Sequence, residues 1–193
     1  ALDAVDEVFE PIPGLGAPVF DQPQERPYAQ LQSMLDATNP KGHHYYWKTE
    51  FAAELSPDLL ATMRDLAAEC PVPEGQLVVA HLGGALNERD EDDGAVGNRD
   101  ARFVYGAAGM WEPDDPNGER FRQWTRDAWT QLRPFSTGGT YINFQTADES
   151  GDRVRATYGA NFDRLVEVKI RYDPDNAFRS NRNVSPDAGG GTP

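Results

Sequence analysis

The residues best suited to chemistry lie in a glycine-preceded stretch, GGTYINF, at residues 138–144. If this stretch is a strand, Tyr141 and Asn143 share one face, because side chains alternate between the two faces of a sheet. A phenol and an amide on one face could move a proton and orient a polar ligand. The alternative is an ordinary core strand that a glycine-rich turn introduces, and the residues by themselves leave both readings open.

A second set of candidates lies in YGANFDRLVEVKI, residues 158–170. Tyr158, Asn161 and Leu165 are spaced by three and four residues, which places them along one face of a helix. An asparagine at the head of an otherwise apolar face is expected to hydrogen-bond. Its partner is either a ligand or, in the alternative, the first turn of the helix, which the asparagine would cap.

Other kinds of site lack their characteristic spacing. The three histidines do not form a zinc pattern, and His43 and His44, as neighbours in a strand, would point to opposite faces. The acidic run ERDEDDG (88–94) resembles a calcium loop in composition but not in the order of its ligands. The glycines fit neither a dinucleotide-binding nor a P-loop frame. We therefore expect no metal site, and we expect the acidic run to be a solvated loop.

The charge of the chain limits its partners. With 32 acidic and 18 basic residues, the net charge is −14. Such a surface repels nucleic acid and anionic membranes, so neither is expected as a partner. The acid excess is also typical of a halophilic protein, since molar salt screens the self-repulsion. The single cysteine, Cys70, excludes an internal disulfide, and no run is long enough to span a membrane; together they favour a cytoplasmic location.

The elements that position the candidates follow from periodicity. Alternating or continuous apolar runs predict strands, and apolar residues at helical spacing predict helices. The predicted strands cover 43–51, 76–84, 101–111 and 138–145, and the predicted helices cover 28–39, 56–70, 118–135, 151–158 and 160–171. From 43 to 145 the order is β-α-β-β-α-β. We therefore expect an α+β, ferredoxin-like antiparallel sheet with helices on one face and flanking N- and C-terminal helices.

This order also divides the chain. Residues 1–26 are rich in proline and are expected to form an entry arm. Residues 27–184 are expected to form the domain, and residues 185–193 a disordered tail.

The end of the chain resembles a known family. YINF is followed by Y-G-x-N-x-x-R-L-x-x-x-K-x-x-Y-D-P-x-N-x-F-R-x-N-x-N over residues 158–183. This succession resembles the C-terminal segment of FAD-linked oxidases of the berberine bridge enzyme type. PYAQLQSMLDA, YYWKTEF and RDARFVY are also similar to bacterial and archaeal members, so the resemblance covers residues 27–184.

The resemblance implies a substrate domain with a ferredoxin-like core, lying against a flavin that takes a hydride at its N5 atom. It implies that Asn143, Tyr158 and Asn161 contact FAD, and that the turn around Asp173 with Phe178 anchors the end of the chain. The family's N-terminal FAD-binding domain does not appear in this sequence. We therefore expect non-covalent FAD, an FAD-binding domain or subunit as a partner, a small-molecule substrate, and an inactive isolated chain.

One position departs from the family pattern. Many members carry tyrosine at the position of Phe144, where the phenol acts as the catalytic base, and a phenyl ring cannot accept a proton. Tyr141 could take over the role of base if its surroundings lowered the pKa of its phenol, and it is our candidate for that role, with Lys48 and Phe144 expected to line the substrate pocket. The alternative function is a non-catalytic, homodimeric, ferredoxin-like binding or assembly module descended from such an oxidase.

Overall fold

The computed structural model describes residues 25–71, 75–179 and 182–189, and it divides the chain into two units, residues 1–41 and 42–193. The predicted entry arm, 1–26, lies almost entirely outside the described residues.

The described part of the first unit is a short helix. Helix α1 (Tyr28–Gln32) follows Pro27 and continues as a 3-10 helix over Ser33–Thr38. At the change from α-helix to 3-10 helix, the hydroxyl of Ser33 donates to the carbonyl of Ala29 at 3.0 Å. The apolar residues that predicted this helix are exposed; they are Tyr28, Leu31, Met34 and Leu35.

The second unit contains a three-stranded antiparallel sheet. Its strands are β1 (His44–Ala52), β2 (Gln76–His81) and β3 (Phe103–Trp111). Strand β3 lies in the middle, so the spatial order is β1-β3-β2, and Ala107 faces both Lys48 and Leu77. These three predicted strands are confirmed, with ends that differ by at most three residues.

Two helices cover one face of this sheet. Helix α2 (Pro57–Ala68) starts where the hydroxyl of Ser56 accepts the N–H of Leu59 at 3.2 Å, and helix α3 (Gly118–Leu132) follows β3. Leu59 and Leu132 are fully buried against Tyr105 of β3, whose hydroxyl donates to the carbonyl of Leu132 at 3.0 Å. Burial of a leucine side chain contributes about 1.5–3 kcal/mol, so this layer holds the sheet and helices together.

The predicted fourth strand, 138–145, is wrong. Gly138 and Gly139 have φ values of +98° and +73°, which turn the backbone out of the extended conformation, and Ile142–Phe144 form a single 3-10 turn. Among the described residues, one backbone hydrogen bond joins this segment to the outer edge of β1, from the N–H of Thr137 to the carbonyl of Phe51 at 2.9 Å. The described residues therefore form three strands, and the four-stranded ferredoxin-like sheet is not seen among them.

Two further helices were predicted correctly. Helix α4 (Gly151–Tyr158) is followed by a 3-10 turn over Gly159–Asn161 and by helix α5 (Phe162–Tyr172). In the described part of the chain, none of the helices combines the length and apolar composition that crossing a membrane requires.

The chain turns sharply after α5. The carboxylate of Asp173 accepts the N–H groups of Ala177 at 2.7 Å and Phe178 at 3.0 Å, and it also pairs with Lys169. This turn leaves Tyr172 and Phe178 70% and 83% exposed.

Part of the predicted disordered tail has a defined structure. Pro186–Gly189 form a 3-10 turn beside α5, and Arg155 donates to the carbonyl of Ala188 at 3.4 Å. Val184, just before this turn, packs against the cluster of Val154 and Phe162, which gives the segment an apolar contact that its composition does not indicate.

Candidate functional site

An apolar cavity lies on the face of the sheet opposite α2 and α3. Phe51 and Val104 of the sheet form one side, and Tyr141 and Phe144 of the 3-10 turn form another, around a volume of about 470 Å³. A smaller cavity of about 160 Å³ shares Phe51 and Tyr141 with it and extends to Tyr158. Concave, mainly apolar spaces with a few polar groups are the usual form of a small-molecule site.

The 3-10 turn brings its candidate residues together. The amide of Asn143 donates to the phenol oxygen of Tyr141 at 2.7 Å. The ring of Phe144 stacks on Trp47 of β1 with centroids 5.5 Å apart, and Tyr141 meets Phe144 edge-on at 5.3 Å. Tyr141 and Asn143 are therefore adjacent, although a turn rather than a strand places them there.

Sequence reasoning missed the wall formed by residues 82–101. Asn98, which has φ of +58°, donates to the carbonyls of Ala156 and Thr157 at 3.0 Å each, at the end of α4. Asn87 donates to the carbonyls of Arg99 and Ala101 and closes the segment on itself. Val96 to Arg99 consequently line the cavity. The signal available in the sequence was the Gly-Asn pair at 97–98, which favours a left-handed residue.

Asn161 and Tyr158 lie on either side of this wall. Asn161 is 5% exposed, and its amide donates to the carbonyl of Glu91 at 2.6 Å, which holds the acidic segment in place. Tyr158 lines the smaller cavity. Burial raises the pKa of Tyr158, and the positive charge of Arg182 only partly offsets that increase, so its phenol remains a hydrogen-bond donor. For both residues, contact with FAD stays a prediction.

Lys48 lies on the other face of the sheet. Its Nζ is 2.8 Å from the carboxylate of Glu149 and 3.0 Å from that of Asp148, over the ring of Trp129. Burial alone would lower the pKa of Lys48, but its hydrogen bonds to these two carboxylates raise it. The structure does not bring Lys48 to Tyr141, and its part in a substrate pocket stays a prediction.

The same face carries a network of buried charges. Glu50, 2% exposed, accepts hydrogen bonds of 2.6 Å from Trp129, Ser136 and Arg153. Arg153 also pairs with Glu149 at 2.8 Å. Buried ions are tolerated only when they are paired and hydrogen-bonded. The network therefore fixes the segment that follows the 3-10 turn onto β1, behind the cavity.

Asp148 completes this network at its exposed side. Burial alone would raise the pKa of Asp148, but hydrogen bonds from Thr146, Tyr46, Lys48 and Arg126 lower it well below its usual range. The hydroxyl of Tyr46 donates at 2.6 Å, and burial together with this bond raises the pKa of Tyr46. Both groups keep their protonation states over the whole physiological range.

Acid should weaken this corner of the structure. The pKa of Asp148 is lower in the folded chain than its unfolded value of about 3.9, so its contribution is complete above that value and is lost as the pH falls below it. We expect Asp148→Asn to flatten the decrease in the free energy of unfolding between about pH 4 and pH 2. Urea unfolding at a series of pH values measures this, and an unaltered slope would contradict it. Asp173, whose pKa is lowered by its hydrogen bond from Lys169, accounts for part of the remaining slope.

The wall of the cavity depends on one close backbone approach. A Cβ at Gly97 would lie 2.5 Å from the carbonyl oxygen of Tyr158, which is backbone and has no freedom to rotate away. We expect Gly97→Ala to lower the free energy of unfolding by about 1–3 kcal/mol, the usual cost of overpacking. Gly151→Ala is the matched control, because no atom lies within 4 Å of its added Cβ. Equal urea midpoints for the two variants would contradict this prediction.

Similar proteins identify the family. A family model described as berberine and berberine like matches residues 140–185, which include the 3-10 turn, α4 and α5. An FAD-linked oxidoreductase of Dictyostelium discoideum is 30% identical over 180 residues, covering 92% of this chain and 39% of that protein. A tetrahydroberberine oxidase of Berberis wilsoniae is 25% identical over 178 residues, covering 82% of this chain and 33% of that protein.

Solved structures agree in fold. 6-Hydroxy-D-nicotine oxidase from Arthrobacter nicotinovorans matches with a TM-score of 0.75 and 22% identity, over 96% of this chain and 42% of that one. A berberine bridge enzyme variant matches with a TM-score of 0.64 and 18% identity, over 74% of this chain and 33% of that one. The chain thus spans about two fifths or less of the length of the relatives it matches. The chain belongs to the berberine bridge enzyme-like family of FAD-linked oxidoreductases, whose cofactor is FAD.

Proposed function

We propose that this chain is the substrate-binding and flavin-covering part of an FAD-dependent oxidoreductase. It acts together with an FAD-binding domain or subunit, on a small-molecule substrate. The observation that carries the proposal is the apolar cavity beside Tyr141, Asn143 and Phe144. The segment matched by the family model supplies two of its lining residues, Tyr141 and Phe144, and also Asn143, which donates to Tyr141.

The residues of the cavity fit a flavin ring. An isoalloxazine is flat and largely apolar with polar edges, and such ligands are bound by apolar and aromatic walls with a few donors. Phe51, Val104 and Phe144 supply the walls. Arg99, which lines the same cavity, has a buried Nε with no hydrogen-bond partner among the described residues. A buried donor of this kind fits an acceptor on a ligand.

In this proposal FAD supplies the hydride acceptor, its N5 atom, and the chain supplies the surroundings. Asn143 and Tyr158 would contact the cofactor through their amide and phenol groups. Tyr141, as the phenolate, would take the proton that leaves the substrate and become the neutral phenol, with the amide of Asn143 donating to its oxygen. Phe144 and Trp47 would exclude water from the side of the cavity without any part in proton transfer. Asn161 would keep the wall closed through Glu91.

The partner domain would meet the exposed apolar residues of α5 and the turn after it. Val168 and Tyr172, four residues apart on one face of α5, are each 47% exposed or more, and Phe178, which lines a surface pocket with Val168, is 83% exposed. Apolar side chains concentrated on one surface usually mark an interface. The carboxylate of Asp173 accepts the N–H of Phe178 and so holds Phe178 in the exposed position where that partner would contact it. This supports the expected role of the turn in anchoring the end of the chain.

We also propose that the described sheet is the larger part of a ferredoxin-like sheet. The order β1-β3-β2 with antiparallel pairs is the order of that fold without its fourth strand. The contact of Thr137 with the edge of β1 is where such a strand would start. A cytoplasmic, salt-rich environment remains part of the proposal, supported by the charge of −14 and the single cysteine.

A non-catalytic, homodimeric binding module is the second candidate. Phe144 favours it, because it cannot replace the phenol that the resemblance implies at this position. The exposed apolar residues of α5 would then form the contact between two copies. Sedimentation at several concentrations separates the two: a stable dimer without flavin favours the module, and a flavin-bearing complex favours the enzyme.

The decisive experiment is an absorbance scan from 300 to 600 nm of the protein purified from its native source in high salt. Flavin bands with a stoichiometric FAD-binding domain or subunit would support the enzyme proposal. A colourless, monodisperse protein with no co-purifying flavoprotein would overturn it.

A further inference from the structure

We propose that the substrate is an aromatic carboxylic acid whose carboxylate binds in a groove next to the cavity. This groove, of about 490 Å³, is lined by Arg122, Arg126 and Arg182 together with aromatic side chains, and we refer to it as the arginine groove. Phe144 lines both the groove and the cavity, so the two spaces adjoin on either side of its ring. The inference rests on the proposed function, because it treats the cavity as the place of oxidation.

The arginine groove is positive in a strongly acidic chain. Three arginines line it, and Asp148 is its one lining carboxylate among the described residues. The charge of Asp148 is shared between Lys48 at 3.0 Å and Arg126 at 3.1 Å. With three lining guanidinium groups to one lining carboxylate, the groove keeps an excess of positive charge in a chain whose net charge of −14 repels anions elsewhere.

The guanidinium groups are held in place before any ligand arrives. Arg122 lies over the rings of Tyr46 and Trp111 at 5.7 and 5.8 Å, and Arg126 lies over Tyr46 at 5.3 Å. Ordered arginines lose less conformational entropy when they bind a carboxylate. Arg182 adds a buried Nε that has no hydrogen-bond partner among the described residues. A buried donor without a partner is expected at a site where a ligand would supply the acceptor.

The ion pair of Arg122 is the one that a ligand can displace. Arg122 pairs with Glu119 at 2.9 Å, whereas Arg126 lies 3.6 Å from that carboxylate and is held by Asp148 at 3.1 Å. The side chain of Glu119 is 68% exposed, and pairs of this kind are weak because water competes with them. A ligand carboxylate can displace Glu119, and the planar guanidinium then offers two parallel hydrogen bonds.

The aromatic side chains of the groove indicate that the carboxylate is attached to a flat ring. Tyr45, Trp47 and Phe144 line the groove on the side toward the cavity. A flat ring between these side chains, with its acid group toward the arginines, uses both halves of the surface. A sugar or an aliphatic chain would leave the aromatic wall unused, and a neutral aromatic compound would leave the arginines without a partner.

The test measures binding to the chain itself by titration calorimetry at one fixed salt concentration, with 2-naphthoate and its neutral counterpart 2-naphthamide as probes. Because hydrogen bonds to charged groups are the stronger ones, we expect naphthoate to bind about tenfold tighter or more. Arg122→Gln and, separately, Arg182→Gln should remove most of that difference. Arg120 lies on the same helix as Arg122, is exposed and does not line the groove. Arg120→Gln should therefore leave the difference in affinity between acid and amide unchanged.

Each outcome decides the inference. Equal binding of acid and amide would overturn it, as would an equal loss in Arg120→Gln and Arg122→Gln, which would indicate only a general surface charge. Competition by inorganic phosphate at the same concentration as naphthoate would also overturn it, since the aromatic wall would then contribute nothing. Circular dichroism of both groove variants confirms that they fold. These binding measurements need no flavin. Selective binding of the acid by a native protein that is colourless would therefore support the carboxylate-binding groove and contradict only the oxidoreductase proposal.

Discussion

Arg153→Met is expected to lower the free energy of unfolding by about 3–5 kcal/mol, the cost of removing one member of a buried ionic network. Arg153 joins Glu50 and Glu149 and also donates to the carbonyl of Thr49 at 3.0 Å. Without it, Glu50 keeps only the neutral donors Trp129 and Ser136, and its buried charge loses its positive partner. Urea unfolding monitored by circular dichroism measures the change.

Arg64→Met is the control for the loss of an arginine as such. Arg64 pairs with Asp65, but the two side chains are 74% and 64% exposed. Exposed pairs contribute about 0–1 kcal/mol, so this variant should remain close to the unaltered chain. If both variants lost the same stability, the ionic network would not be the structure that holds the 3-10 turn on β1.

Tyr141→Phe is expected to slow reduction of the flavin by about 10²- to 10⁴-fold in the complete enzyme, the usual contribution of a positioned acid or base. The phenol of Tyr141 is the proton acceptor in the proposed function, and Asn143 already donates to it at 2.7 Å. Removal of one hydroxyl leaves the edge-on contact with Phe144, so the shape of the cavity is retained. Anaerobic stopped-flow absorbance at the flavin band measures the rate.

Two further variants make this prediction specific. Tyr28→Phe changes an exposed phenol of the first unit and should not change the rate. Phe144→Tyr adds a second phenol where the stack on Trp47 is preserved, and it should restore part of the rate in a Tyr141→Phe background. If Tyr141→Phe reduced the flavin at the unaltered rate, Tyr141 would not be the base, and another group would have that role.

The regular elements could be predicted because their signals are local. The Ser56-Pro57 start of α2 and the alternating residues of β1 require only neighbouring positions, and the structure has both elements. The same reasoning failed at 138–145, where the apolar pattern indicated a strand. Gly138 and Gly139 adopt positive φ, and two such residues in succession turn the chain away before a second ladder bond can form.

The site could be predicted only where its residues are close in sequence. Tyr141 and Asn143 are two positions apart, and their pairing follows from that spacing. The wall of the cavity instead depends on Asn98 and Asn161, which bond to carbonyls 58 and 70 residues away, and contacts at such separations leave no periodic pattern. The sequence predicts that Lys48 lies in a strand but not which face of the sheet carries it, and its part in a substrate pocket stays a prediction. Its face is determined by Glu149 and Trp129, from distant segments.

The outer edge of β1 has a consequence for how copies of this protein meet. A free strand edge is a template on which a second chain can add its own backbone. Here Thr137 and the guanidinium of Arg153 occupy the carbonyls of Phe51 and Thr49, so the edge is closed by one amide and one side chain. On the opposite side of the sheet, β2 pairs only with β3 among the described residues, and Ala80 and His81 are exposed. Strand addition by a second chain therefore meets less obstruction at β2 than at the Thr49–Phe51 end of β1.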